Sequence, residues 1–270
     1  MAETLQKVAG ADGATVAYRQ YGKGPRLITC LHSLALDGSW YAPLAEALGE
    51  DYRLLAPDFR GHGQSPRGVS DLTLGLIAQD VAAMWDAENI ESSVVLGISL
   101  GGMVAQAVTG SFPDRVDAQI LMATRGGFDE AATRGTLARA AEVRAPGGLE
   151  AAVDMTMRRW FGDGSQDAAN PLVQQARAQF LGAGGNTVAE YFEAMTQVGD
   201  FHTDSPPPTL VIGGDDDQST PRAVIEQLAA SIRDAELRIA PGGHLLAFEN
   251  PHQVAAALLP FLENLACWPR

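Results

Sequence analysis

The stretch VVLGISLGGM, residues 94–103, places a single serine among closely spaced glycines. An apolar run typical of a buried strand precedes the serine, and a pattern typical of a helix follows it. The central five residues, GISLG at 97–101, fit the Gly-x-Ser-x-Gly pattern of a nucleophile elbow around Ser99. In such an elbow, glycines remove the clashes of a very sharp strand-to-helix turn. The stretch therefore favours a nucleophilic serine over an ordinary glycine turn.

Short apolar runs alternate with helical patterns on both sides of this turn. The strand-like runs are TVAYRQYG, RLITCLHS, RLLAPDF, SSVVLGIS, VDAQILMAT, TLVIGG and AELRIA. This alternation predicts an α/β fold whose mostly parallel, twisted sheet is covered by helices on both faces. From 125 to 205 the chain has helical patches and no convincing strand. We therefore predict a core formed by 1–124 and 206–270, with a helical lid at 125–205 above the ligand crevice.

A serine nucleophile needs a base that an acid orients, and after an elbow the chain order is serine, acid, histidine. This order excludes His32 and His62 as the base. Of the later histidines, His202 falls in the predicted lid and His252 inside the last helix. His244 lies in the glycine-rich loop APGGHLLAFENP after the last strand, so it is the predicted base.

The acid is expected on the loop after the preceding strand. That loop, in LVIGGDDDQSTP, offers Asp215, Asp216 and Asp217. The pattern by itself does not choose among the three, because any of them could be a solvated charge.

The chain resembles an α/β-hydrolase over nearly its whole length, and it is most similar to 3-oxoadipate enol-lactonases and related serine hydrolases. The matching stretches are HSLALDGSWYAPLAEAL, LGISLGGMVAQA, RRWF and PGGHLLAFENP. Members of the family often carry Gly-x-x-Asp-x-x-x-Pro at the acid loop. Gly214, Asp217 and Pro221 fit that spacing, so the resemblance implies Asp217 as the acid and Asp216 as the second choice. Enol-lactonases usually have Asn-Ser-Leu-Gly where this chain has HSLA at 32–35.

The resemblance also implies an oxyanion hole and a supporting loop. The two backbone donors are Leu100, directly after the nucleophile, and Leu34, in the loop that matches LHSLALD. His32 is expected to hold that loop by hydrogen bonds. The family's second loop, PDFRGHGQS, is expected to be braced by Asp58, Arg60, Gly61, Gly63 and Ser65.

Residues of the predicted lid are candidate substrate contacts. Trp160 and Phe161 are large apolar groups suited to a pocket wall, with lid packing as the alternative, and the favoured one for Phe161. Arg125 follows the strand end LMAT and could pair with a substrate carboxylate, with a solvated loop residue as the alternative. Arg158 or Arg159 could serve instead.

Charge and composition limit the other function classes. The formal net charge is −14, which disfavours nucleic acid or an anionic membrane as a partner. The two cysteines imply no disulfide framework, and no pattern of metal ligands or of a cofactor-binding loop is present. The N-terminus has no apolar signal core, so a cytoplasmic location is expected. The oligomeric state cannot be read from the sequence.

Together these patterns predict an enzyme that cleaves a small ester or lactone through Ser99, His244 and Asp217 by way of an acyl-enzyme. Hydrolysis of a carbon–carbon bond in a diketone, or cofactor-free perhydrolysis with apparent halide oxidation, would use the same residues. A ligand-binding receptor that retains the triad is a further alternative. Epoxide or haloalkane hydrolysis needs a carboxylate nucleophile, and Ser99 argues against it.

Overall fold

A single sheet organises the chain. The computed structural model describes residues 3–162, 164 and 169–268, and within them eight strands form this sheet. The strands are β1 (Glu3–Ala9), β2 (Thr15–Tyr21), β3 (Arg26–Leu31), β4 (Tyr52–Pro57), β5 (Ser93–Ile98), β6 (Val116–Met122), β7 (Thr209–Gly214) and β8 (Glu236–Ala240). Their order in the sheet is β1-β2-β4-β3-β5-β6-β7-β8. The pairs β1–β2 and β2–β4 are antiparallel, and all other neighbours are parallel.

Burial along the strands follows their place in the sheet. Every residue of β5 and of β7 is buried, as expected for parallel strands with helices on both faces. The edge strand β1 is mostly exposed. The sequence pattern does not predict β1, because ETLQKVA has no apolar run and the strand is held mainly by its backbone ladder with β2.

Helices cover the sheet and fill the long connection between β6 and β7. They are α1 (Ala42–Leu48), α2 (Leu74–Ala87), α3 (Leu100–Ser111), α4 (Glu130–Arg144), α5 (Gly148–Phe161), α6 (Pro171–Ala183), α7 (Gly185–Met195), α8 (Arg222–Ser231), α9 (Leu246–Glu249) and α10 (Pro251–Glu263). Helix α1 packs against α10, and α2 against α3. The predicted α/β architecture is confirmed. Within the described part of the chain, no helix is both long and apolar enough to cross a bilayer.

Helices α4 to α7 occupy the interval of the predicted lid, whose bounds of 125–205 remain a prediction. Polar contacts tie two of these helices to the loops at the carboxyl end of the sheet. In α6, the Gln179 amide donates to Asp37 Oδ2 at 2.7 Å and accepts from Trp40 Nε1 at 2.6 Å. At the end of α5, the Trp160 carbonyl accepts from the backbone N–H of His244 at 3.2 Å. These bonds hold α6 beside the loop after β3, and α5 beside the loop that carries His244.

Candidate active site

Ser99 lies at the tight turn between β5 and α3. Its φ of 54° and ψ of −116° place it in a backbone region that residues other than glycine rarely adopt. The surrounding glycines are sterically required. A Cβ at Gly97 would lie 2.1 Å from the Gly101 carbonyl oxygen, and one at Gly101 would lie 1.9 Å from that of Leu31. The close approach of α3 to β3 and β5 therefore explains the glycines of the opening stretch.

His244 and Asp217 complete a continuous hydrogen-bonded chain with Ser99. His244 Nε2 lies 2.8 Å from Ser99 Oγ, and His244 Nδ1 lies 3.0 Å from Asp217 Oδ2. With the proton on Nδ1 donated to the carboxylate, Nε2 is free to accept the serine proton. The structure thus brings together the three residues predicted from the sequence.

The Asp217 carboxylate is buried and densely bonded. Its Oδ1 accepts from the backbone N–H groups of Ser219 at 2.7 Å and Thr220 at 2.9 Å, and the Thr220 hydroxyl donates to Oδ2. Burial alone would raise the pKa of Asp217, but the charge and hydrogen bond of His244 and the bonds of Thr220 hold that pKa below its usual value. Asp217 is therefore a carboxylate suited to stabilising an imidazolium.

The other candidates stand apart from this chain of contacts. Asp215 and Asp216 are exposed, and Asp215 Oδ1 accepts from the backbone N–H of Gly242 at 2.9 Å. His202 and His252 are exposed as well. Among the histidines of the described chain, only His244 forms a hydrogen bond with the Ser99 hydroxyl.

Over the described residues, the two predicted oxyanion donors both have a free backbone N–H. Leu100 is the first residue of α3, so its backbone N–H has no acceptor within the helix. In the described part of the chain, neither Leu100 nor Leu34 donates a backbone hydrogen bond. Leu34 lines the same cavity as Ser99. Free backbone N–H groups are the donors that an oxyanion hole requires, so both residues remain candidates for that role.

Ser99 and His244 open onto a cavity of about 700 Å³ beneath α4 to α7. Of the predicted substrate contacts, Trp160 and Arg125 line this cavity. Phe161 is buried at the end of α5 and is absent from the cavity wall. The prediction that it contacts substrate is therefore wrong, and the alternative of packing applies. Of the two alternative arginines, Arg159 lines the cavity and Arg158 does not.

Comparison with known proteins shows the family of the chain. The model of the alpha/beta hydrolase family matches residues 30–257. The chain belongs to this family. Within it, the hydrolase is 29% identical to 3-oxoadipate enol-lactonase 1 of Acinetobacter baylyi, over 96% of this chain and 97% of that protein. It is 30% identical to the pimeloyl-[acyl-carrier protein] methyl ester esterase of Xanthomonas axonopodis pv. citri, over 90% of this chain and 97% of that protein.

A solved structure extends the comparison. The thermophilic esterase of Thermogutta terrifontis, in a malate-bound form, superposes with a TM-score of 0.86 at 25% identity, covering 97% of this chain and 99% of that chain. No group of three or more His, Cys, Asp or Glu that could hold a metal ion occurs among residues 3–162, 164 and 169–268.

Two buried histidines hold the loop after β3, which carries Leu34, against the loop after β4. His32 Nε2 accepts from the backbone N–H of Phe59 at 2.9 Å, and His62 Nε2 accepts from that of Ala35 at 2.9 Å. Burial lowers the pKa of His32 to about 4, and burial followed by the charge of His32 lowers that of His62 to about 3. Both rings are therefore neutral at pH 7 and can accept these bonds.

The hydrogen bond from the Ala35 N–H to His62 also has a local effect that the sequence did not indicate. Ala35 has a φ of 59°, in the left-handed region that favours glycine. This is the position at which enol-lactonases usually carry glycine. The bond to His62 helps hold the strained Ala35 backbone, and with it the Leu34 amide, in position.

The loop PDFRGHGQS is braced as its pattern suggests. Asp58 accepts backbone hydrogen bonds at 2.8 Å from Gly38 through Oδ1 and from Gln64 through Oδ2, joining this loop to the one after β3. The buried Arg60 pairs with Asp80, with Nε 2.6 Å from Oδ2. None of these groups contacts Ser99, so their effect on the site is one of positioning.

Glu249, in α9, is a titratable group near the site that sequence reasoning missed. Its Oε2 atom is buried and has no hydrogen-bond partner in the described part of the chain. The pKa of Glu249 is raised to about 7, mainly by burial and also by the negative charges of Asp216 and Asp217. A hydrogen bond from Gly243 and the charge of His244 lower this pKa and offset part of the rise. The carboxyl group is thus half-protonated near neutral pH.

We expect Glu249→Gln to remove a pH-dependent part of the stability. Between about pH 4.5 and 7 the folded state binds more protons at Glu249 than the unfolded state, so the free energy of unfolding falls as pH rises. Urea unfolding at intervals across this range measures the slope. The variant should show a flatter decline, whereas Glu263→Gln, at an exposed position on α10, should keep the wild-type slope. Identical slopes in all three proteins would contradict the shift.

Proposed function

We propose that this hydrolase cleaves a small ester or lactone with Ser99 as nucleophile, His244 as general base and Asp217 as the group that orients the base. The observation that carries the proposal is the unbroken chain of contacts from Ser99 Oγ to His244 and on to Asp217. One end of this chain opens onto a cavity, and the other end is buried. A solvated serine beside a chance histidine would not have this arrangement.

The geometry supports a two-step reaction. Ser99 Oγ attacks the carbonyl carbon while His244 Nε2 takes its proton, and the backbone N–H groups of Leu34 and Leu100 stabilise the oxyanion. Collapse of the intermediate breaks the bond to the alkoxy oxygen, which receives the proton from His244. Water then attacks the acyl-enzyme and gives a proton to His244. Collapse of this second intermediate breaks the bond to Ser99 Oγ, which takes that proton back from His244, and the acid is released. In a lactone the alkoxy group and the acid are parts of one product.

The relatives and the cavity support the choice of substrate class. The similar proteins are named as an enol-lactonase and as esterases. The wall of the cavity combines apolar groups such as Met155, Trp160 and Phe192 with the guanidinium of Arg125. An ester or lactone that also bears a carboxylate would match both parts of this wall.

Paired substrates that differ only by a carboxylate test this assignment. We expect the anionic member of each pair to have the higher kcat/KM, by about tenfold, because an arginine–carboxylate bond adds on the order of 1.5–3 kcal/mol. Arg125→Ala should reduce this preference, while Arg158→Ala, next to the cavity wall but not part of it, should retain it. A strong preference for the neutral substrates would remove the carboxylate from the proposal.

A wider panel separates this reaction from the others that the same three residues could perform. Lactones, esters and vinylogous diketones are assayed side by side, together with halide oxidation in the presence of hydrogen peroxide and a carboxylic acid. Labelling with a fluorophosphonate separates an enzyme from a receptor that merely retains the residues. Faster turnover of the diketones than of every ester and lactone would favour a carbon–carbon hydrolase.

A further inference from the structure

Three arginines line the cavity of the candidate active site from three separate segments. Arg125 follows β6, Arg139 lies in α4 and Arg159 lies in α5. Glu142 is the sole acidic residue of the described cavity wall, so the wall carries an excess of two positive charges. Among the described residues, none of the ion pairs involves one of these arginines, although Arg139 Nη2 donates to Thr136 Oγ1 at 3.4 Å. This local excess occurs in a chain whose formal net charge is −14.

Aromatic rings of the same wall hold two of the guanidinium groups. The Arg125 Cζ lies 4.5 Å from the centroid of the Phe128 ring, and the Arg139 Cζ lies 4.9 Å from that of Phe192. Both rings also line the cavity. Stacking fixes a guanidinium group while leaving its N–H donors available for a ligand.

The three guanidinium groups repel one another and are partly withdrawn from water. Arg125 and Arg139 are half-buried, and Arg159 is exposed where the cavity meets solvent. Burial, followed by the charges of Arg159 and Arg125, lowers the pKa of Arg139 against the opposing charge of Glu142. Burial lowers the pKa of Arg125 against the opposing charge of Asp129. A bound anion would relieve both the repulsion and the lack of partners, which structural ion pairs relieve elsewhere in the chain.

We propose that Arg125, Arg139 and Arg159 form a binding site for a substrate that carries two negative charges besides its scissile ester or lactone. This inference rests on the proposed function, because it names the substrate class of that same site. Two negative charges match the excess on the wall, and the shared chemistry is that of a dicarboxylate or a phosphate. Ser99 opens onto the same cavity of about 700 Å³, so one ligand can reach both the nucleophile and the arginines.

Inhibition of a neutral reporter reaction tests the site. Hydrolysis of p-nitrophenyl acetate is measured with succinate, butyrate or inorganic phosphate as inhibitor, at constant ionic strength so that general screening is equal. We expect the inhibition constant of succinate or of phosphate to be at least about tenfold below that of butyrate. Whichever of succinate and phosphate has the lower inhibition constant shows whether the site prefers a dicarboxylate or a phosphate. Equal inhibition by succinate, phosphate and butyrate would overturn the proposal.

Substitutions localise the effect. Arg125→Gln, Arg139→Gln and Arg159→Gln should each reduce the difference between dianion and monoanion about tenfold. Arg134→Gln on α4 and Arg158→Gln on α5 are matched controls outside the cavity wall and should leave the difference unchanged. An equal loss in the controls would show that overall charge, and not this site, binds the dianion.

Calorimetry keeps this test separate from that of the proposed function. Binding of succinate and phosphate is titrated into Ser99→Ala, which retains the cavity whether or not the serine is the nucleophile. Tight dianion binding together with normal ester hydrolysis by Ser99→Ala would overturn the reaction while supporting the site. Normal dependence on Ser99 without dianion binding would overturn only the site.

Discussion

Replacement of Ser99 by alanine is expected to lower kcat/KM for a reactive ester by at least about a thousandfold, the scale of loss for a serine nucleophile. The variant removes the Oγ atom that lies 2.8 Å from His244 Nε2, so no acyl-enzyme can form. The fold should persist, because alanine already tolerates a positive φ in this chain, at Ala35 with a φ of 59°. Hydrolysis of p-nitrophenyl acetate, fluorophosphonate labelling and thermal unfolding measure the three expectations.

Ser111→Ala is the matched control for this experiment. Ser111 ends the same helix that Ser99 precedes, and it is exposed. The control should keep its activity, its labelling and its melting temperature. Near-normal turnover by Ser99→Ala would instead mean that water or another group attacks the substrate, and the whole mechanism would have to be reassigned.

The local parts of this site could be predicted because local rules govern them. The elbow follows from steric demands that act within a few residues of Ser99, as the contacts of the two flanking glycines show. Chain order and the loop after the last strand pointed to His244. Choosing Asp217 from three adjacent aspartates needed the family spacing, and the structure separates the three by burial, since Asp217 alone is buried.

Other parts depend on contacts between distant segments and left no pattern in the sequence. His62 reaches Ala35 across 27 positions, and nothing near either residue indicates that bond. Arg139 is one of several arginines on α4, and only its position on the cavity wall distinguishes it from Arg134. Glu249 follows an apolar run, but its raised pKa arises from burial against the His244 loop. The exposed strand β1 has no apolar pattern in its sequence, because backbone hydrogen bonds with β2 hold it in the sheet.

Asp217→Asn is expected to lower kcat by roughly a thousandfold to ten-thousandfold while the fold is retained. Asparagine keeps an oxygen at Oδ1, so it can still accept from the backbone N–H groups of Ser219 and Thr220. His244 Nδ1 lies 3.0 Å from Oδ2 and 3.1 Å from Oδ1. Because Oδ1 already accepts two backbone N–H groups, the N–H₂ group that replaces Oδ2 faces Nδ1. The imidazole then carries its proton on Nε2, where it can no longer accept one from Ser99.

Asp215→Asn is the matched control for this prediction. Asp215 stands two residues away on the same loop, is exposed, and accepts from the backbone of Gly242 through Oδ1, a bond that asparagine can also accept. Its kcat should stay within about threefold of wild type, because surface substitutions outside special contacts have small effects. Asp216→Asn covers the second choice of acid. Equal losses in Asp215→Asn and Asp217→Asn, at unchanged melting temperatures, would contradict the assignment. A large loss in Asp216→Asn with an active Asp217→Asn would move the orienting carboxylate by one residue.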